Sequence, residues 1–270
     1  NDNDLVVVGE WTSIRVYENI KGKLKLKSTP NLDALKGWWF SVEEADLDND
    51  GDMDLVLGNL GENYKYKAKA ESPFEVYYND FDGNNKKDIV LTYYNYGIQY
   101  PLRGFSCSVQ QVPELENKFK KYDVFASLDA TNVYGELLNN SLNYDATYFS
   151  SSVLLNLGSG DYIVKPLPTR AQFSSVNDIL VDDYNNDNIK DILVIGNMYH
   201  SEIETPRNDA GIGALFLGTS GGEYQFISVT DSGFFTPGDA KKMIKLKTPQ
   251  GDIIIVANNN DILQSFIQTK

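Results

Sequence analysis

Three short stretches of the chain place oxygen-bearing side chains at alternate positions. The first reads Asp46-Leu-Asp48-Asn-Asp50-Gly-Asp52-Met-Asp54 and the second Asp80-Phe-Asp82-Gly-Asn84-Asn-Lys86-Lys-Asp88. The third reads Asp183-Tyr-Asn185-Asn-Asp187-Asn-Ile189-Lys-Asp191. In each, a carboxylate or an amide stands at positions 1, 3, 5 and 9. Such a grid suits a hard divalent cation, because Ca2+ takes about six to eight oxygen ligands at ~2.3–2.6 Å in a flexible geometry. The spacing therefore predicts about three structural Ca2+ sites. Their side-chain ligands are Asp46, Asp48, Asp50 and Asp54, then Asp80, Asp82, Asn84 and Asp88, then Asp183, Asn185, Asp187 and Asp191. A backbone carbonyl at position 7, from Asp52, Lys86 or Ile189, completes each ring. Position 6 is Gly51, Asn85 or Asn188, types that tolerate left-handed backbone at a sharp bend. Mg2+ fits less well, since it demands octahedral geometry and keeps its waters.

Asp, Asn and Gly also populate turns for reasons unrelated to metal. One such loop decides nothing, but three with the same grid favour the ion. Unpaired, the clustered carboxylates repel one another, and a divalent cation removes that penalty. An EF-hand is excluded: it needs a bidentate Glu at position 12, where this chain has Leu57, Leu91 and Val194. A fourth segment, Lys245–Asp252, offers one carboxylate, so no ion is expected there. Asp4 fills position 9 of a copy whose earlier ligands are absent.

The loops must be held by strands. Asp54-Leu-Val-Leu-Gly-Asn59, Asp191-Ile-Leu-Val-Ile-Gly-Asn197 and Asp252-Ile-Ile-Ile-Val-Ala-Asn258 share an apolar run with the same ending. Degenerate copies begin at Asp4 and Asp88. Short, β-branched runs bounded by Asp, Asn and Gly read as buried strands. The segments 14–19, 152–156 and 214–218 each lead through a Gly-containing turn into a second strand. Thirty-five residues separate Asn19 from Asp54, Asn156 from Asp191, and Leu217 from Asp252. The repeating unit is then a four-stranded meander: inner strand, Asp loop, strand, hairpin. Sequential units of this kind build propeller blades, and the chain holds about five blade equivalents, the first lacking its inner strand and the last its outer one. Residues 103–148 break the rhythm with short helical patterns, Asp129 being an N-cap candidate. They form a small helical insertion between two strands of the third blade. Residues 60–73 are too short for a full hairpin, so the second blade is expected to be irregular.

Composition narrows the partners. A net charge of −14 disfavours nucleic acid, whose binding depends on Lys and Arg neutralising phosphates. Cys107 is the only cysteine, so neither an internal disulfide nor a Cys-based zinc site can form. No apolar run is long enough for a transmembrane helix. The chain opens on Asn1-Asp2-Asn3-Asp4 and passes straight into a strand, so it reads as a segment of a longer protein.

A second candidate surface is the tyrosine run Tyr93, Tyr94, Tyr96 and Tyr100 with Arg103 nearby. Tyrosine faces beside amide and guanidinium donors suit a sugar ring or a protein partner. The competing reading packs alternate tyrosines into the strand core. Cys107 and His200 make a nucleophilic pair formally available, but a single instance of each is thin ground for catalysis. Trp38 and Trp39 read as core packing between blades.

The loops, with their Asp-x-Asp-x-Asp-Gly-x-x-Asp core and the Leu/Ile-Val strand that follows, resemble the FG-GAP repeats of integrin α-subunit propellers, known as VCBS repeats in bacterial surface proteins. Glu204-Thr-Pro-Arg-Asn-Asp209 and Phe173-Ser-Ser-Val-Asn-Asp178 add a similarity to bacterial proteins resembling cartilage acidic protein. The resemblance implies an all-β propeller over residues 1–270, Ca2+ in the blade loops, and an extracellular or cell-envelope location. It further implies adhesion or binding of a protein or glycan ligand at the cell surface. Asp46, Asp48, Asp50 and Asp54 match the repeat best, while Asn84 and Asn185 keep the oxygen and lower the charge. The expected function is a non-catalytic binding module with structural Ca2+. The rivals are a carbohydrate-binding or carbohydrate-active propeller, a lyase or hydrolase, and a ligand-free segment of a surface assembly.

Overall fold

The computed structural model describes residues 3–158, 160–202, 204–249 and 251–268. The chain forms two compact units, Asn1–Lys65 with Phe149–Lys270, and Tyr66–Tyr148. The first unit opens with β1 (Leu5–Val7), β2 (Glu10–Thr12), β3 (Arg15–Ile20), β4 (Lys23–Lys27), β5 (Gly37–Trp38), β6 (Ser41–Ala45) and β7 (Asp54–Gly58). The second unit carries β8 (Phe74–Asn79), β9 (Asp88–Asn95), β10 (Ile98–Pro101) and β11 (Leu142–Ala146). The chain then returns to the first unit for β12 (Ser152–Asn156), β13 (Tyr162–Pro166), β14 (Val176–Asp182), β15 (Asp191–Gly196), β16 (Ala214–Gly218) and β17 (Tyr224–Ile227). It ends with β18 (Ala240–Thr248), β19 (Gly251–Asn258) and β20 (Gln264–Ile267).

The protein is all-β with several antiparallel sheets and a few short helices. In the first unit the strand orders are β1-β3-β4, β6-β7-β12-β13, β14-β15-β16-β17 and β18-β19-β20, with a small β2-β5 ladder. The first strands of the later sheets are neighbours, β14 packing against both β6 and β18. This stacking explains why the second strands are apolar on both faces. Along β15, Ile192 and Val194 enter the core shared with the sheet of β6 and β7, while Leu193 and Ile195 enter the core shared with β18–β20. Period-two alternation puts neighbouring residues on opposite faces, so a strand between two sheets must be continuously hydrophobic. Each fully buried Ile or Leu contributes about 1.5–3 kcal/mol.

Close packing also fixes a glycine at the end of these strands. A Cβ on Gly196 would stand 1.5 Å from the carbonyl oxygen of Ser175, and one on Gly58 would stand 2.2 Å from that of Val176. Trp39 is buried, and Trp38 meets Trp11 and Phe149 edge-on at centroid separations of 5.1 and 5.8 Å.

Residues 60–73 do not close the second sheet. Its outer pair is β12 and β13, in the register Ser152↔Leu57, Val153↔Val56 and Leu154↔Leu55. An apolar strand can pair with any apolar neighbour, and the sequence does not reveal which. Only cross-strand packing chooses.

In the second unit the sheet order is β10-β9-β8-β11. Between β10 and β11 run five short helices, Phe105–Gln111, Glu114–Lys118, Tyr122–Ala126, Ala130–Tyr134 and Glu136–Asn139. Val90 and Tyr77 of the sheet pack with Val112, Leu115, Phe125 and Val133 of the helices and their linkers. Asp129 caps Ala130–Tyr134, its Oδ1 accepting the Asn132 N–H at 2.7 Å.

Candidate metal centre

Each acidic loop joins the first strand of a sheet to the second: residues 46–54 link β6 to β7, 80–88 link β8 to β9, and 183–191 link β14 to β15. Two left-handed residues curl each loop. They fall at positions 4 and 6: Asn49 and Gly51 (φ 61° and 96°), Gly83 and Asn85 (74° and 65°), Asn186 and Asn188 (63° and 67°). Gly and Asn occupy this region at the lowest steric cost, so residue type and backbone agree at all six places.

The curl aims backbone N–H groups at the acids. Asp46 accepts the N–H groups of Asp50 and Gly51, both at 3.2 Å. Asp80 accepts those of Asn84 and Asn85 at 3.1 and 2.8 Å, and Asp183 those of Asp187 and Asn188 at 3.1 and 2.9 Å. The oxygen at position 5 accepts the N–H of position 7: Asp52 to Asp50 at 2.8 Å, Lys86 to Asn84 at 2.7 Å, Ile189 to Asp187 at 2.8 Å. Three sequences that share few residues thus share one hydrogen-bond pattern.

This pattern gathers oxygens. One carboxylate oxygen from each of Asp46, Asp48 and Asp50 lies within 4.8 Å of the others, as does one from each of Asp80, Asp82 and Asp88. In water, two unit charges at 4 Å already repel by ~1 kcal/mol, so every such pair favours a cation among them. In the third loop Asn185 replaces one carboxylate, and its amide nitrogen donates to Asp187 Oδ2 at 2.9 Å. Asn84 does the same toward Asp82 Oδ2 at 2.8 Å. The acidic clusters are compatible with Ca2+, a hard cation satisfied by carboxylate and amide oxygens.

Position 9 has a further job that the sequence did not show. Asp54 is fully buried and accepts the N–H of Leu47 at 2.8 Å and of Asn156 at 2.7 Å. Asp191 repeats this with Tyr184 at 2.7 Å and Gly218 at 2.9 Å. Asp88 takes the N–H of Phe81 at 3.0 Å, and Asp4 takes that of Asn19 at 2.8 Å. Each of these carboxylates latches its loop or the end of the third strand. An ionised carboxylate offers about four lone-pair sites, so a latched Asp can still face an ion. The signal was present in the chain: the latched partners Asn19, Asn156 and Gly218 are turn-type residues at equivalent strand ends.

Burial decides the acidity of the latches. Desolvation pushes the Asp54 and Asp191 carboxyls up. Their backbone donors oppose the rise, and the neighbouring acids add to it. Asp80 goes the other way: desolvation raises it, but the N–H groups of Asn85, Gly83 and Asn84 together outweigh that and hold it below the usual carboxylate range. The fourth segment meets its carboxylate differently, with Lys245 Nζ 2.9 Å from Asp252 Oδ2 and also bonded to Asp182.

The tyrosine run divides between environments. Tyr93 and Tyr100 pair across strands with ring centroids 6.2 Å apart. Tyr94 lies on the other face of the sheet beside Glu75 and Gln99, in a cluster where burial pushes the Tyr77 hydroxyl up to about 12. Tyr96 is 98% exposed in the β9–β10 turn, and Arg103 Nη1 donates to Gln111 Oε1 at 2.8 Å. Only Tyr93 and Tyr100 are brought together as a pair. Cys107 is a half-buried thiol on the first helix of the second unit, and His200 is a largely exposed side chain in the first.

No curated protein matches the chain. Among the described residues, no helix is long and apolar enough to cross a membrane. Residues 1–57, which end inside β7 just past the first acidic loop, match the family model of the FG-GAP-like repeat, a repeat typical of extracellular binding modules.

Proposed function

We propose that the chain is a Ca2+-stabilised, FG-GAP-type propeller segment that serves as a non-catalytic binding or adhesion module outside the cell or in the cell envelope. The observation that carries this reading is the common loop geometry: left-handed residues at positions 4 and 6 of all three loops, with carboxylate oxygens gathered from positions 1, 3 and 5 in the first loop and from positions 1, 3 and 9 in the second. The ions are structural. Each pins the bend between the first two strands of a sheet and binds the folded state alone, which stabilises it by about 2.7 kcal/mol when Ca2+ is a hundredfold above Kd. The propeller arrangement is supported by the side-by-side first strands β6, β14 and β18 and by the FG-GAP-like match over residues 1–57. The wider relatives are bacterial surface proteins similar to cartilage acidic protein. The partner is a protein or glycan: one face of the second unit's sheet leaves Tyr78, Ile89, Tyr93, Ile98 and Tyr144 exposed, a surface suited to either.

Thermal unfolding of the chain with millimolar Ca2+ and with EGTA tests the reading. A midpoint raised by Ca2+ but not by Mg2+ is expected, with about three ions bound by calorimetry. Equal midpoints in Ca2+ and EGTA would overturn it.

A further inference from the structure

The acidic loops hang from the ends of β6 and β14, and the starts of the same strands meet elsewhere. Together with the start of β18 they border a hollow of about 390 Å3, lined by Phe40, Asn177, Met198, His200, Asp239 and Lys241. Phe40 precedes β6, Asn177 and Lys241 are the second residues of β14 and β18, and Met198 and His200 lie just past β15. All six belong to the first unit.

The polar groups of the hollow are held in place. Asp239 is 3% exposed, and its Oδ2 accepts the Asn259 side-chain amide at 3.1 Å. Lys241 Nζ stands 2.7 Å from Asp239 Oδ1, so the buried carboxylate anchors the ammonium and balances its charge. Lys241 Nζ also donates to the Asn197 carbonyl at 2.8 Å, and Asn177 Nδ2 donates to that same carbonyl at 2.7 Å. Sharing one acceptor makes the heads of Lys241 and Asn177 neighbours. His200 completes the group, with Nδ1 4.0 Å from Asp239 Oδ2 and an exposed ring.

The hydrogen-bonding capacity that remains is sorted by type. An ammonium has three donors and no acceptor, and Lys241 directs one to Asn197 and one toward Asp239. Asn177 has spent its amide hydrogens on the Asn197 and Ala240 carbonyls, so what it offers is Oδ1, an acceptor. A ligand that serves both residues must therefore accept from one and donate to the other. A carboxylate cannot donate and an ammonium cannot accept, and either would bring a charge to a site where Asp239 and Lys241 already cancel. Adjacent hydroxyls do both. Phe40 and Met198 add apolar surface, and small-ligand pockets of about 300–1,000 Å3 combine apolar walls with a few placed polar groups in this way.

We propose that the hollow is a saccharide subsite that takes a neutral sugar ring. Adjacent hydroxyls accept from Lys241 Nζ, donate to Asn177 Oδ1 and meet the His200 ring, while the C–H face of the sugar lies on Phe40 and Met198. The subsite uses no residue of the acidic loops or of the second unit, so it stands apart from the ion sites and from the tyrosine face.

The test is a titration of the whole nitrogen-15-labelled 270-residue chain, in Ca2+ buffer, with the methyl glycosides of glucose, galactose and mannose. At least one glycoside is expected to shift the amide signals of Asn177, His200 and Lys241 saturably, with a Kd in the millimolar range. Lys241→Met should weaken that binding at least tenfold and His200→Ala at least threefold. No saturable shift at these amides with any of the three, or unchanged affinity in both variants, would overturn the proposal. Should Lys241→Met fail to fold once Asp239 loses its counter-charge, His200→Ala decides, because its side chain is exposed. Acetate or methylammonium saturating the same amides more tightly than the glycosides would assign the hollow to an ion, and acetyl-trialanine amide doing so would assign it to a peptide. Either result goes against the proposal.

Discussion

Asp54 joins two strands that lie far apart in sequence: its Oδ1 accepts the backbone N–H of Asn156, 102 residues away, at 2.7 Å. The same carboxylate holds Leu47 inside its own loop. The residue that closes the acidic grid is therefore also the residue that ties β7 to β12 across the inserted second unit.

Replacing Asp54 with Ala removes the acceptor for both N–H groups. Orphaned buried donors cost about 1–3 kcal/mol each, so urea unfolding in EGTA should show a loss of about 2–6 kcal/mol for the two. A loss seen only when Ca2+ is present would mean that Asp54 acts through the ion and not as a latch.

Single substitutions should remove ions one at a time. Asp48→Ala and Asp82→Ala are each expected to lower the bound Ca2+ by one in calorimetric titration, and the double variant by two. The loops belong to different sheets, so the losses should add. Unchanged stoichiometry in both single variants would count against these clusters as the sites.

Gly196→Ala should be severely destabilising, because its Cβ would collide with the Ser175 carbonyl, which is main chain and cannot swing aside. Overpacking of this kind costs about 1–3 kcal/mol and occasionally more. Circular dichroism melts of Gly196→Ala beside Gly221→Ala check it. A Cβ at Gly221 meets only Thr219 Oγ1 at 3.8 Å, and that control should melt near the parent.

Lys245 sets a pH window. Desolvation pulls its ammonium down, but hydrogen bonds to Asp182 and Asp252 prevail and raise it above the ordinary lysine value. Desolvation pushes Asp182 up, and Lys245 and the Asp183 N–H bring it below the ordinary value. A depressed acid stabilises the fold above its unfolded value, about 3.9, and loses that contribution as pH falls through the folded one. A raised base stabilises below about 10.4 and loses its contribution as pH rises through the folded value. Lys245→Met should therefore cost most between about pH 5 and 10, and the gap to the parent should close under acid. The expected cost at pH 7 is about 1 kcal/mol, kept small because the Asp182 side chain is 37% exposed. Urea midpoints at pH 3 and pH 7 check it, and an equal gap at both would be the wrong outcome.

The sequence by itself determined what is local. Alternating acids within nine residues, Asn or Gly at the bends, and β-branched runs after them specify loop curl and strand, because those depend on φ preference and on period-two burial. That is why Asp46–Asp54, Asp80–Asp88 and Asp183–Asp191 were legible as candidate sites, and why Asp129 was legible as a cap. Tertiary structure decided what depends on distant partners. It placed Ser152–Asn156 beside Asp54–Gly58, gave Asp54 the N–H of Asn156, and separated Tyr94 from Tyr93. The physical reason is the same in each case. An apolar strand, a carboxylate or a tyrosine ring accepts many neighbours, and only packing and register select among them.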